Sequence, residues 1–171
     1  MGTEPAARGA GPVSVIVVGS VNLDIVARAA RLPVAGETVT NAELGRFPGG
    51  KGANQALAAR RLGARVALIA CVGRDTAADE ALALLRSDGV DLARCRVVDD
   101  RPTGVALIAV AESGENQIVV APGANRMLAA DAVRDLDAAA VICKLEVPPD
   151  TMQTILNVID HGMNIAEAIE A

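Results

Sequence analysis

The stretch from Gly49 to Ala56, GGKGANQA, contains residue types that proteins use to hold phosphates and other polar ligands. Gly45, Gly50 and Lys51 fit the glycine and lysine positions of a phosphate loop. That loop also requires a Ser or Thr to hold Mg²⁺, and Gly52 stands at this position. A phosphate loop follows a buried strand, whereas the residues before this stretch alternate between polar and apolar types and include a proline, as in an exposed edge strand. The residues therefore argue against a nucleotide-phosphate loop.

The same stretch suits a binding site of another kind. Gly49 and Gly50 allow a ligand to approach the backbone closely, and a helix that begins here points unpaired N–H groups outward. Asn54 is expected to project from the first turn of this helix. Such a place fits a hydroxyl-rich ligand as well as an anion. The alternative is purely structural: the glycines fit a helix against a strand, and Lys51 is solvated.

Two further polar clusters come at the ends of predicted strands. Asn22 and Asp24 follow the first strand, and their i, i+2 spacing lets both side chains face the same way. Glu146 ends the last predicted strand. Ligands of doubly wound folds collect at the carboxyl ends of strands, so these residues and the helix start could converge on one crevice. Their acceptors and amides are what the hydroxyl groups of a sugar require.

The elements that must position these residues follow from the periodicity of the sequence. Continuous apolar runs predict buried strands, alternating runs predict strands with one wet face, and Ala/Leu-rich runs between glycines predict helices. The resulting order describes an α/β fold, a doubly wound and mostly parallel sheet that carries a separate antiparallel flap. The predicted elements are a strand over 13–19, two short strands over 24–29 and 37–44, a helix over 50–62, a strand over 65–73, a helix over 75–89 capped by Asp75, a hairpin over 103–123 around Ser113 and Gly114, a helix over about 131–139 and a strand over 139–148.

Composition excludes several classes of protein. Apolar residues make up 51% of the 171 residues, but Phe47 is the single aromatic, so the core must consist of Val, Ile, Leu and Ala. The net charge of -5, with no basic cluster, argues against a nucleic-acid partner. No apolar run is long enough to cross a membrane and no export signal is present, so a cytoplasmic location is expected. The widely spaced Cys71, Cys95 and Cys143 predict buried free thiols rather than a zinc site or disulfides.

The motifs GSVNLD, PGGKGANQA, ACVGRD, TGVALI and KLEVP, in this order, resemble the N-terminal part of the ribokinases in the PfkB carbohydrate-kinase family. The resemblance covers roughly Val13 to Pro149, and GGKGANQA is its most specific block. It implies a ribokinase-like α/β fold, truncated at its C-terminus, in which the predicted flap strands form a small antiparallel β lid that also makes a homodimer contact. It further implies a pocket for ribose or a related pentose lined by Asn22, Asp24, Gly50, Lys51, Gly52, Ala53, Asn54 and Glu146.

The activity that the resemblance implies is ATP-dependent phosphorylation of D-ribose at its 5-hydroxyl. In the family an aspartate base in a G-A-G-D motif, ATP, Mg²⁺ and a monovalent cation such as K⁺ take part. The 171 residues contain no G-A-G-D, and PGAN at 122–125 has no acid at the right place. No catalytic, cofactor-binding or metal-binding residue is therefore assigned. Loss of a general base alone costs roughly 10²–10⁴-fold in rate, so this chain alone is expected to be inactive.

The last segment departs from the ribokinase pattern. From about Thr151 it resembles a short segment near the C-terminal end of gamma-glutamyltransferases, without that family's nucleophilic threonine and its surroundings. The predicted organisation is a disordered leader over 1–12, a ribokinase-like part with its lid over 13–149, and a foreign or divergent tail over 150–171. An ordinary divergent helix is the alternative for the tail.

Three functions remain open at this stage. The first is a ribokinase-derived sugar-binding half without catalysis. The second is a non-catalytic module that binds a pentose, and the third is one half of a split kinase that a second chain completes. A truncated doubly wound sheet exposes a strand edge and apolar helix faces, so low stability or self-association is also expected.

Overall fold

A computed structural model describes residues 14–133, 136, 138–144 and 148–153 of the chain. Within these residues eight strands form two four-stranded sheets, accompanied by the helices α1 and α2 and two short 3-10 helices; residues 149–153 are also helical. The elements are β1 (Val15–Val18), β2 (Asn22–Ala29), β3 (Glu43–Gly49), α1 (Lys51–Arg61), β4 (Val66–Gly73), α2 (Thr76–Ser87), β5 (Cys95–Val98), β6 (Gly104–Ala111), β7 (Asn116–Ala121), the 3-10 helices Gly123–Met127 and Ala130–Val133, and β8 (Ala140–Cys143).

The main sheet has the order β5-β4-β1-β8, and all of its pairings are parallel. Successive apolar residues of β1 and β4 point to opposite sides of the sheet, and a separate cluster of apolar residues covers each face. Val17 and Leu68 face a cluster that includes residues of α1 and α2. Val18 and Ile69 face a second cluster, in which Leu128 and Val133 are buried beside the 3-10 helices. This is the doubly wound arrangement that the continuous apolar runs predict.

The second sheet, called the lid here, has the order β3-β2-β6-β7. Its outer pairings, β2 with β3 and β6 with β7, are antiparallel, but its central pair, β2 with β6, is parallel. The prediction of a separate small sheet is confirmed, whereas the prediction that it is antiparallel is wrong. The reason is the connection between β2 and β6, which passes through β3, α1, β4, α2 and β5 and brings the chain back in the same direction.

Several element predictions need correction. The second lid strand runs over Glu43–Gly49 rather than 37–44, and it is an edge strand that contains Pro48. The short strand β5 was not predicted at all. The helix predicted over about 131–139 is replaced by the 3-10 helix Ala130–Val133. The last strand is described only over Ala140–Cys143.

The predicted caps and cysteine states are largely as expected. The Asp75 carboxylate accepts the Ala78 N–H at 2.9 Å and caps α2. Gly63 and Gly89, at φ of 98° and 75°, follow the two helices in the left-handed region. All three cysteines are free; Cys71 is buried, and the other two are half-buried. Burial raises the pKa of the Cys95 thiol to about 11.

Candidate functional site

Asn22 and Asp24 lie on the same face of β2, where the lid meets the main sheet. Both strands that flank Asn22 place a glycine opposite it, Gly49 on β3 and Gly104 on β6. A Cβ atom added to Gly49 would lie 2.2 Å from Oδ2 of Asp24, and one added to Gly104 would lie 2.3 Å from Oδ1 of Asn22. The two glycines therefore leave the space that these polar side chains occupy.

Asp24 is the titratable group of this cluster. Its side chain is half-buried, and this burial raises the pKa of its carboxyl above the ordinary value of 3.8. The cause is loss of hydration rather than a neighbouring negative charge. An acceptor that is partly stripped of water binds a hydroxyl donor more strongly than a fully solvated one does.

The GGKGAN stretch forms the β3–α1 junction and contacts the start of β2 directly. Gly50 is the N-cap of α1 at φ 93°, and a Cβ atom there would lie 2.7 Å from the backbone nitrogen of Asn22. The Gly52 position is equally crowded, because a Cβ atom there would lie 2.6 Å from the carbonyl carbon of Gly19. The Ala53 N–H donates to the Ser20 carbonyl at 3.1 Å. Gly50 and Gly52 thus bring helix α1 against the β1–β2 connection.

This packing shows that the junction does not fit a nucleotide phosphate. A phosphate loop keeps its backbone N–H groups for the phosphate oxygens, whereas here one first-turn N–H already bonds the Ser20 carbonyl. The backbone of Gly19 and Ser20 lies 2.6–2.8 Å from the position that a Cβ atom of Gly52 would take. No group of three or more His, Cys, Asp or Glu side chains that could hold a metal ion occurs among the described residues. The β3–α1 junction is therefore not a site for a nucleotide phosphate.

The remaining predicted residues divide between the surface and the interior. Lys51 and Asn54 are exposed at the start of α1. Gly52 and Ala53 are buried, so they can contribute backbone and packing but no side-chain hydrogen bond. Glu146 lies outside the described residues. The structure thus brings together the β2 pair and the start of α1, which are two of the three predicted clusters.

Sequence reasoning missed Asn125, which lies in the 3-10 helix after β7 and is only 5% exposed. Its side chain accepts the Val21 N–H at 2.9 Å and donates to the Val21 carbonyl at 3.1 Å and to Oδ1 of Asn22 at 2.8 Å. The stretch PGAN at 122–125 does not match the catalytic motif G-A-G-D, so the sequence pattern alone assigns Asn125 no role. A buried asparagine in a loop was the available signal, but its partners lie 103 or more residues away in sequence.

Several clefts of the described surface lie away from these residues. One of about 460 Å³ is lined by α2 and the end of β4, including Asp75 and Arg86. The Asp75 carboxylate in this cleft is engaged in structural hydrogen bonds, because it caps α2 and accepts hydrogen bonds from Thr103. The candidate site is therefore the β2–α1 junction, where polar groups converge, rather than the cleft beside α2.

A model described as pfkB family carbohydrate kinase matches residues 13–166. The chain belongs to this family. The match confirms the resemblance carried by the sequence motifs, and it extends into the segment from 150 onward that sequence analysis assigns to a foreign or divergent tail. That assignment and the gamma-glutamyltransferase resemblance stay predictions, and residues 154–171 lie outside the described part of the chain.

Individual relatives of this pfkB family chain are ribokinases. A ribokinase of Schizosaccharomyces pombe is 34% identical over 165 residues, which is 90% of this chain and 52% of the relative. The structure of ribokinase from Giardia lamblia superposes with a TM-score of 0.79 at 37% identity, over 88% of this chain and 47% of that one. The structure of Arabidopsis thaliana ribokinase complexed with ribose and ATP superposes with a TM-score of 0.71 at 30% identity, over 92% and 50%.

These matches confirm the ribokinase-like α/β fold class and show one further fact about size. The chain spans about half the length of the relatives it matches. No helix in the described part of this pfkB family chain is long and apolar enough to cross a membrane.

Proposed function

We propose that this chain is the sugar-binding half of a ribokinase-type kinase and binds D-ribose or a related pentose at the β2–α1 junction. The observation that carries the proposal is the convergence of Asn22, Asp24 and the GGKGAN start of α1 in a chain of the pfkB family. A structural relative at 30% identity is described as complexed with ribose and ATP, which supports the choice of sugar.

The chemistry of the junction suits a polyol. Asp24 supplies a carboxylate that accepts from hydroxyl groups, and Asn22 supplies an amide on the same face of β2. Lys51 and Asn54 add an ammonium and a second amide from the first turn of α1. A ring of donors and acceptors around one small ligand fixes its orientation, as sugar sites require. Glu146 is proposed as a further acceptor in this pocket.

We also propose that the 171-residue chain does not transfer phosphate by itself. The family reaction, ATP-dependent phosphorylation of the ribose 5-hydroxyl, uses Mg²⁺ and a monovalent cation, and the β3–α1 junction does not fit a nucleotide phosphate. The 171 residues also lack a G-A-G-D motif. The residues present would bind and orient the sugar, and the parts that position ATP and remove the hydroxyl proton would have to come from elsewhere.

Calorimetric titration of the chain with D-ribose, beside an ADP-release assay with ribose, ATP and Mg²⁺, tests both statements. We expect a dissociation constant below about 1 mM, in the range of enzyme substrates, and no ADP above the blank. The variant Asp24→Ala should lose the binding heat. Absence of heat at millimolar ribose would overturn the sugar site, whereas clear turnover would overturn the proposal that the chain is inactive alone.

A split kinase is the second candidate, and a feature of the main sheet favours it. Among the described strands, β8 lies at one end of the main sheet and pairs only with β1. A parallel sheet is normally buried on its faces and extended by further strands, and the relatives are about twice as long. The other candidate, a binding module, needs no second chain. Mixing the chain with a separately purified C-terminal half of a ribokinase distinguishes them, since only a split kinase gains ADP release.

The lid is proposed as the contact of a homodimer. On the face of the lid that carries Asp24, the side chains of Ile118 and Val120 are 53% and 51% exposed. On the opposite face Arg46 pairs with Glu80 of α2, so part of that face already packs on the main body. Burial of the Ile118 and Val120 side chains against a second copy would remove apolar surface from water and contribute about 25 cal/mol per Å².

Light scattering coupled to size exclusion tests the dimer. We expect the wild-type chain to elute as a dimer and the pair Ile118→Lys/Val120→Lys to elute as a monomer. The matched pair Leu107→Lys/Val119→Lys places the same charges on the opposite face and should leave the dimer intact. If the wild-type chain stays monomeric over a 100-fold range of protein concentration, the proposal is wrong. If only the matched pair of substitutions dissociates the dimer, the contact lies on the opposite face of the lid.

A further inference from the structure

We propose that Asn125 is a positioning residue that fixes the side-chain amide of Asn22, so that Asn22 presents an N–H donor, and not its oxygen, to the bound sugar. The statement about the sugar rests on the proposed function. The statement about the two amides rests on contacts alone. The orientation of the Asn22 amide decides the hydrogen-bonding polarity of the site. A sugar hydroxyl accepts from an N–H donor through its oxygen, whereas it donates its O–H to an acceptor.

The orientation of the Asn125 amide follows from backbone groups whose polarity is unambiguous. The Val21 N–H can only donate, so the atom that it meets at 2.9 Å must be Oδ1 of Asn125. The Val21 carbonyl can only accept, so the atom at 3.1 Å must be Nδ2. These two bonds leave Asn125 no freedom to exchange its oxygen and nitrogen.

The orientation passes from Asn125 to Asn22. Nδ2 of Asn125 lies 2.8 Å from the Asn22 side chain, and a donor nitrogen must meet an oxygen there, which is Oδ1. Nδ2 of Asn22 is then on the other side of the amide and has no hydrogen-bond partner among the described residues. Among the described residues only Oε1 of Gln55 is a fully enclosed side-chain atom without a partner, so Nδ2 of Asn22 is not fully enclosed, although the residue is only 7% exposed.

The surroundings hold this arrangement in place. Both cross-strand neighbours of Asn22 are glycines, so no side chain beside it competes for the amide. A Cβ atom on Gly104 would lie 2.3 Å from both Asn125 Nδ2 and Asn22 Oδ1, which explains why this position is a glycine. Asn125 also follows β7 directly, so its bonds connect the end of a lid strand to the strand that carries the candidate site.

The consequence is a paired preference. Asn22 donates to one hydroxyl oxygen, while Asp24, two residues along the same face, accepts from another hydroxyl. A sugar whose Asn22-facing hydroxyl is replaced by fluorine, which accepts weakly but cannot donate, should bind better than the corresponding deoxy sugar. A site with the opposite amide orientation would show no such difference.

Calorimetry on matched variants tests the role of Asn125. Asn125→Asp keeps an acceptor for the Val21 N–H but has no N–H to give to Asn22, whose amide is then free to turn over. We expect ribose affinity to fall about tenfold or more and the advantage of fluoro over deoxy analogues at the 2 or 3 position to vanish. Thr103→Val is the control, because Thr103 is equally buried and bonds Asp75 and Gly73 instead. It should lower the melting temperature but leave affinity within twofold and the analogue preference unchanged.

Side-chain amide NMR of the full, unmutated chain tests the inference without relying on a variant that folds. In the sugar-free protein both Nδ2 protons of Asn125 should exchange with water at least tenfold more slowly than those of Asn22. Ribose should then shift the Asn22 amide signal and slow its exchange. Slow exchange at Asn22 in the free protein, or Asn125→Asp affinity within twofold of wild type, would overturn the inference. If no sugar binds at all, the proposed function fails, while the exchange rates still decide the arrangement of the two amides.

Discussion

At the scale of single residues, Asp24 of the candidate site favours ligand binding but lowers the stability of the folded chain. Asp24 is an acceptor placed where burial raises the pKa of its carboxyl, so its ionised form is held at some cost to the folded state. Groups that carry such a cost are common at binding sites, where the ligand supplies the missing hydrogen bonds. The cost makes Asp24 testable by stability as well as by binding.

Asp24→Asn should raise stability near pH 7 and weaken ribose binding by about 10- to 100-fold, the effect of a lost charge-assisted hydrogen bond. Because the folded-state pKa lies above 3.8, ionisation disfavours the folded chain as pH rises through that pKa. The stability difference between variant and wild type should therefore be present at neutral pH and disappear below about pH 3.8. Thermal unfolding against pH measures it. Asp100→Asn removes the same charge from an exposed position and serves as control; an equal gain there would contradict the explanation by burial.

The glycines of β3 provide a second prediction at this scale. Gly49→Ala places a methyl group 2.2 Å from Oδ2 of Asp24, so the carboxylate must move away and ribose affinity should fall about tenfold or more. Gly45→Ala, on the same strand, meets the ring of Phe47 at 2.5 Å instead. That ring is partly exposed and can turn, so affinity should stay within twofold. Titration of both variants with ribose decides, and a loss shared equally by the two would point to general damage to β3.

At the scale of elements, Asp75 links a helix to the lid. It accepts the Ala78 N–H as the cap of α2, and it accepts both the N–H and the hydroxyl of Thr103, at 2.8 and 2.6 Å, just before β6 begins. Burial raises the pKa of Asp75, but these hydrogen bonds outweigh it, so the pKa is lowered overall. One carboxylate therefore holds the first turn of α2 and the start of a lid strand.

Asp75→Asn should destabilise the fold by about 1–3 kcal/mol, because the amide cannot accept from every one of these donors. A lowered folded-state pKa means that the contribution of Asp75 is complete above the unfolded value of 3.8 and is lost as pH falls through the folded value. The difference between wild type and variant should thus be constant near neutral pH and shrink below about pH 4, as denaturant titrations can show. Asp79→Asn, in the same helix turn but paired with exposed Arg86, should cost less than about 0.5 kcal/mol. A comparable loss there would contradict the assignment.

The elements also show what sequence could and could not predict. The strands β1 and β4 and the helices α1 and α2 were predicted to within a few residues, because long apolar runs and capping residues are local signals. The strand β5 has only four residues and owes its structure to parallel pairing with the end of β4, which no local pattern reveals. The parallel β2–β6 pair depends likewise on a path of many elements.

The candidate site divides in the same way. Asn22, Asp24 and the start of α1 were found because they lie at strand ends and at a glycine-rich helix start, which are recognisable in sequence. Asn125 was not found, since its importance arises from contacts with Val21 and Asn22 across about a hundred residues. The two glycines that flank Asn22 were likewise visible only once the register of the lid was known.

At the scale of the whole molecule, the candidate site lies where the chain passes between its two sheets. The lid strand β2 supplies Asn22 and Asp24, and the main body supplies the start of α1, so a sugar bound there contacts both parts. A ligand that binds only the folded state stabilises it by about 2.7 kcal/mol at 100 times its dissociation constant. Because the site spans both parts, this free energy should also reduce opening of the lid relative to the main sheet.

Hydrogen exchange with and without ribose tests this coupling on the full chain. At 100 times the dissociation constant, backbone amides of β2, β3 and the first turn of α1 should exchange up to about 100-fold more slowly, since the open state must release the sugar. Amides at the outer strand β5, which contributes nothing to the site, should slow only if their exchange requires global unfolding. At the same ribose concentration the variant Asp24→Asn should slow exchange only about 2- to 10-fold, because its affinity is 10- to 100-fold weaker, and ATP with Mg²⁺ should not reproduce the pattern. Protection confined to the main body, with β2 and β3 unaffected, would contradict a sugar site shared by both parts.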